Sequence, residues 1–224
     1  MTTHRITACL VACASLIIAD VAAAQGYRPD VIEFDGRNSL TFDPAPQMTL
    51  ADGGTIEFWV VPDWNEDPGY DPVIVCNAGN EGASYLIAML RDRDGLAIAA
   101  GDQEDVVTFD FTDGRLHHVA VNQLEDGIVV FVDGQVVGTS ELRLLDLPST
   151  AVWVGSIDGL NNGFVGAVAG LRVWDRPIGQ EQIVEYSMKD VFDNDHPDLA
   201  SLAAMSDFRA GGLLLVEPTT EASQ

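Results

Sequence analysis

The sequence predicts an all-β protein, two antiparallel sheets stacked as a sandwich with one short helix near the C-terminal end. Three observations carry this. About a dozen short apolar runs recur at close, regular spacing, with Gly, Asp or Asn at most of the breaks, which is the pattern of a sandwich or barrel. Arg115 to Gly138 reads as a meander of three antiparallel strands turning at Glu125-Asp126-Gly127 and at Asp133-Gly134. Asp-Gly readily supplies the positive φ angles of a tight type I′ hairpin. In the middle run Ile128, Val130 and Val132 alternate with Val129 and Phe131, so both faces are apolar, as expected for a strand at the centre of stacked layers.

Each element follows in order. Val31–Phe34 and Leu40–Phe42 are short strands around Asp35-Gly36, and Pro44 and Pro46 break the chain. In Thr55–Val61, Ile56, Phe58 and Val60 share one face, with Glu57 and Trp59 on the other. An acidic loop, Asp63 to Asp71, carries Trp64 and Tyr70. Strands are expected at Val73–Cys76, Ser84–Leu90, Leu96–Ala100 and Val106–Phe111, then after the meander at Ala151–Gly155 and Phe164–Trp174. Pro177–Met188 carries the helical signal, with Ile178, Ile183, Val184 and Tyr186 set to rest on a sheet. Beyond Lys189 the spacing predicts a second short helix over Leu199–Phe208 and a closing strand at Leu213–Val216.

Residues 1–24 read as a signal peptide: Arg5 ahead of an apolar run from Ile6 to Ala19, then Ala22-Ala23-Ala24. The run falls short of the ~20 residues of a membrane span. The expectation is a secreted or periplasmic protein starting at Gln25. Leu10-Val11-Ala12-Cys13 also fits a lipobox, so lipid anchoring through Cys13 is the alternative. Residues 25–188 then form the domain, and 189–224 a C-terminal extension partly packed on it. Cys76 is the only cysteine beyond the signal, which excludes an internal disulfide; in Val73-Ile74-Val75-Cys76 it reads as a small buried hydrophobe.

The formal net charge is −24, and Lys189 is the only lysine. Such a surface repels nucleic acid and anionic membranes, both of which need Lys and Arg, and favours cations or cationic partners.

Phe34-Asp35-Gly36, Thr55 to Val60, His117-His118-Val119-Ala120, Val132-Asp133-Gly134, Val154-Gly155 and Phe164-Val165-Gly166 through Leu171 to Ile178 occur in an order that resembles the LamG-like jelly roll of the concanavalin A-like lectin/glucanase superfamily. The resemblance covers about Val31 to Met188, with Leu116 standing where the family often has tryptophan. It implies two antiparallel sheets, one of them concave, and no single activity.

The Glu-x-Asp-x-x-Glu strand of the glucanases is missing, as are the motifs of alginate-lyase relatives and any Gly-x-Ser-x-Gly elbow. The expectation is therefore a non-catalytic binding module for a glycan or an extracellular or envelope protein. A hydrolase or lyase, and a structural envelope component, are the alternatives. His117 and His118 point to opposite faces and cannot chelate one metal; His118 reads as a core histidine. Resemblance to pentraxins and laminin G modules implies calcium on a rim built from two loops, matched by order at Asn80-Glu81 and at Asp158 with Asn161-Asn162. Asp35 with Asp175 is a second candidate ion site, and Asp193-x-Asp195 is like a calcium loop only superficially, with Pro197 in the next ligand place. For sugar stacking the candidates are Trp64 and Tyr70, since Trp59, Trp153 and Trp174 lie within apolar strands and read as core.

Overall fold

The computed structural model of the protein describes residues 29–189, 198–206, 208 and 214–215. The signal segment, Cys13 and the connector bearing Asp193, Asp195, His196 and Pro197 lie outside the described residues.

In chain order the strands are β1 (Val31–Asp35), β2 (Leu40–Phe42), β3 (Gly54–Pro62), β4 (Val73–Gly79), β5 (Gly82–Met89), β6 (Gly95–Ala100), β7 (Gln103–Thr108), β8 (His117–Leu124), β9 (Gly127–Val132), β10 (Gln135–Ser140), β11 (Ala151–Val154) and β12 (Val165–Trp174). A helix α1 (Gln180–Tyr186) follows, then β13 (Leu202–Ser206) and β14 (Leu214–Leu215). They form an eight-stranded sheet ordered β10-β9-β8-β3-β12-β13-β14, with β1 also on β12, and a six-stranded sheet ordered β2-β11-β4-β5-β6-β7. Pairing is antiparallel throughout. The result is a jelly-roll sandwich.

Between the sheets lies one apolar core, to which β3 gives Ile56, Phe58 and Val60 and β5 gives Tyr85 and Ile87. The predicted alternation is therefore real: Glu57 and Trp59 point to the other side. The Asp133-Gly134 turn has φ of 50° and 74°, as a type I′ hairpin requires.

Three expectations change. The meander is β8-β9-β10, but it forms one flank of the larger sheet rather than its centre. Both faces of β9 are apolar because α1 covers the outer one: Phe131 packs with Ile178, Ile183 and Tyr186 in a second cluster. The expected Val106–Phe111 strand begins earlier, at Gln103, since on a solvent-facing edge polar residues extend a ladder as well as apolar ones. After it Phe109 and Phe111 bend inward, their N–H groups donating to the Asp94 and Arg93 carbonyls. Leu199–Phe208 is not a helix: a single 3₁₀ turn, Leu199–Ser201, leads into β13, paired with β12, and β14 adds beyond it. A short apolar run suits either state, and the free edge of β12 decides it.

Candidate functional site

One end of the sandwich gathers three connections: residues 63–72 between β3 and β4, the turn 90–94 between β5 and β6, and the loop 155–164 between β11 and β12. Backbone bonds lock them together. Val73 N–H donates to the Asn162 carbonyl at 2.8 Å, Asp63 N–H to that of Val165 at 3.0 Å, and Met89 N–H to that of Pro72 at 2.9 Å. The Tyr70 hydroxyl donates to the Gly163 carbonyl at 3.2 Å, and Asn162 Nδ2 to the Asp71 carbonyl at 3.2 Å.

Asp158 shapes the loop. Its Oδ1 accepts from the Leu160 and Asn161 N–H groups at 2.9 and 2.8 Å, and its Oδ2 from Asn161 Nδ2 at 2.7 Å. The Asn161 amide, then the two N–H groups, hold its carboxyl below the usual range, so Asp158 is an anion fixed to its own turn. Leu160, at the tip, is 87% exposed.

Beside this loop lies the outward face of the six-stranded sheet. Register places Thr41, Trp153, Cys76, Leu86, Ala99 and Glu104 in one row across all six strands. Trp153 is half-buried while Val152 and Val154 on either side are core, so β11 presents its indole outward. Gly159, at φ +82°, lies against the six-membered ring; a Cβ there would sit 2.8 Å from Cζ3. Only glycine lets the loop approach so closely. Cys76 is buried in this row, and burial pushes its thiol up to about 12, which leaves it an unreactive packing residue as expected.

The structure thus brings Tyr70, Asp158, Asn161 and Asn162 together and adds Trp153, for which an apolar strand predicts a core position. No alternation in Ala151-Val152-Trp153-Val154 marks it, since all four are apolar; only the packing of Val152 and Val154 into the core sets its side. Trp64 goes the other way: it is 8% exposed, edge-on to Phe164, with its Nε1–H donating to the Arg91 carbonyl at 2.8 Å. It is a core residue and not a stacking platform.

The paired ion sites do not assemble. Asn80 and Glu81 follow Gly79, the last residue of β4, whereas Val73, the first, is bonded to Asn162. Six residues at about 3.3 Å each put those loops about 20 Å apart. Asp35 pairs with Val165 at the start of β12 and Asp175 follows its end, about 30 Å away by the same rise. Asp35 instead accepts the Arg37 and Asn38 N–H groups in a local turn. Among the described residues no three His, Cys, Asp or Glu side chains gather as an ion site.

The two histidines face opposite ways, as expected. His118 Nε2 lies 3.2 Å from Glu57 Oε2 on the outer face, while His117 sits between Phe109 and Phe111. Glu57 is wholly buried. Burial alone would raise its carboxyl; His118 and the Arg172 guanidinium at 3.1 Å outweigh that and hold it at about 2. It has no route to a substrate.

Two stacked antiparallel sheets with loops gathered at one end define a jelly-roll protein. The chain belongs to the concanavalin A-like lectin/glucanases superfamily, whose Laminin_G_3 family model matches residues 34–184. No curated protein matches it. A Bacteroides ovatus protein proposed to bind carbohydrate is similar in structure, with TM-score 0.62, 19% identity and 88% of this chain covered; this chain spans 53% of that one. The native heptameric SAP-like pentraxin of Limulus polyphemus gives TM-score 0.56 at 16% identity, over 76% of this chain and 85% of the other. The CBM40 of Ruminococcus gnavus IT-sialidase, bound to α2,3-sialyllactose, gives 0.52 at 11%, over 70% and 97%. At such identities the likeness is one of fold.

Proposed function

We propose that the protein is an exported, non-catalytic carbohydrate-binding module that takes a sugar ring on the outward indole of Trp153. The observation that carries this reading is the half-buried, outward-facing Trp153, braced by Gly159 of the loop that also carries Asp158 and Asn161 and whose Gly163 carbonyl accepts from Tyr70. An indole in that setting offers an apolar face to a sugar ring, and the carbonyls, amides and carboxylate around it accept or donate hydroxyl hydrogen bonds. The Bacteroides and Ruminococcus structures, one proposed to bind carbohydrate and one holding a sugar, support the same reading on this fold.

A glycan array followed by calorimetry on the best ligand tests it. Trp153→Ala is expected to weaken binding about 30-fold or more, as anchoring tryptophans do, and Trp153→Phe to retain part of it. The fold of each variant is checked by circular dichroism. An array with no bound glycan, or a folded Trp153→Ala protein that binds as tightly as the native one, overturns the proposal.

A further inference from the structure

The carboxylates on the loops at the Trp153 end of the sandwich bear on which glycans reach its rim. The protein carries a net charge of −24, and the three connections at this end hold more carboxylates than arginines. Arg91 and Arg93, the arginines of these connections, line one pocket with Trp64, Glu66, Asp67 and Asp92. Against them stand Asp63, Glu66, Asp67 and Asp71 before β4, Asp92 and Asp94 in the turn 90–94, and Asp158 on the loop that braces Trp153, so this end carries excess negative charge. Glu66 and Asp67 are exposed. The rim is therefore aromatic in its contacts and anionic in its field. A carboxylated or sulfated sugar approaching it meets like charge at short range and the field of the whole molecule at long range, whereas an ammonium group meets the opposite.

Resting on the carbohydrate-binding reading above, we propose that the rim selects neutral and amine-bearing oligosaccharides and rejects carboxylated and sulfated ones. The discrimination is electrostatic and so depends on salt. The Debye length shrinks from about 30 Å at 0.01 M to about 3 Å at 1 M, and the preference shrinks with it.

The test is a glycan array carrying neutral, amine-bearing, carboxylated and sulfated oligosaccharides, probed with the intact mature protein in 10 mM and 0.5 M sodium chloride. At 10 mM, amine-bearing glycans are expected to bind best and neutral ones next. Carboxylated counterparts should bind about tenfold or more below the neutral ones, with the gap closing by 0.5 M. A Glu66→Gln/Asp67→Asn variant, changed only at exposed positions, should bind carboxylated glycans more tightly at low salt and leave neutral ones unaffected. A blank array at both salts overturns the carbohydrate-binding reading itself. Binding led by carboxylated or sulfated glycans at 10 mM, a rank order that salt does not alter, or a Glu66→Gln/Asp67→Asn variant with unchanged discrimination overturns the selectivity and leaves that reading standing.

Discussion

The two sheets turn very different faces away from the core they share. The eight-stranded sheet carries its charge there: Glu57, His118 and Arg172 are buried with Trp59, and Arg172 lies 4.7 Å over that ring. The guanidinium also donates to the Tyr186 and Lys189 carbonyls at 2.9 and 2.6 Å, so it ties the end of α1 to the sheet. The six-stranded sheet instead presents Cys76, Leu86 and Ala99, with Trp153 half-open beside a fixed loop. Ionisable groups are the usual pointer to a functional site. Here they mark the place where a helix is fastened, and the face without a buried ion pair carries Trp153.

Breaking the fastening gives the largest expected effect. Arg172→Ala leaves Glu57 buried without its guanidinium and frees two carbonyls, at a cost of about 3–5 kcal/mol by urea denaturation. An apolar pair of similar volume, Glu57→Leu with Arg172→Met, should recover much of that loss. Glycan binding by the remaining folded protein should be unchanged, because Trp153 lies on the other sheet. A loss below about 1 kcal/mol, or a parallel loss of binding, would contradict this division of labour.

Much of the architecture was legible because it is written in local terms. Asp133-Gly134 demands a type I′ turn, and the alternation along Ile56–Val60 assigns both faces of β3. The site was less legible, for a physical reason. Trp64 stands in an acidic loop, yet its fate is set by Phe164, a hundred positions away in sequence and 5.7 Å in space. Tyr70, Asp158, Asn161 and Asn162 could be proposed from residue type. That Asn80 and Glu81 lie elsewhere depends on β4 pairing antiparallel to β11, which loop order alone does not reveal.

A third charged cluster sharpens the contrast, since it is only partly covered. The His117 ring is buried, with Nδ1 2.8 Å from Asp133 Oδ2 and Nε2 3.0 Å from Asp113 Oδ1. Ionised carboxylates only accept, so only the protonated ring, with both nitrogens donating, makes the two bonds at once. Burial opposes that charge, but the bonds to Asp133 and Asp113 outweigh it and raise the imidazole above its ordinary value. A raised pKa contributes stability that is complete below about 6.5 and is lost as pH rises through the folded-state value. Burial would raise Asp133, yet the His117 bond leads the effects that lower it. In Asp113 the Arg115 N–H leads, with His117 adding to it, so both carboxyls add stability that is lost as pH falls below their ordinary range. Melting temperature should therefore fall as pH is raised from 6 to 9, and His117→Gln should flatten that slope. A slope that persists in the variant would assign it to other groups.

The smallest expected effect concerns calcium, and it tests whether the bare face and its loop act as one site. An ion takes six to eight oxygens at 2.3–2.6 Å, so it cannot bridge loops about 20 Å apart. Calcium bound at either loop would be indifferent to the other. In a calorimetric titration, Glu81→Ala and Asp158→Ala should show no coupling in a double-mutant cycle, beyond the usual ~0.3–0.5 kcal/mol scatter for distant positions. Asp158→Ala alone should loosen the turn that braces Trp153, because its oxygens already hold Leu160 and Asn161. A single calcium signal abolished equally by either substitution would require the two loops to meet, and with that the separation between the ends of β4 would fail.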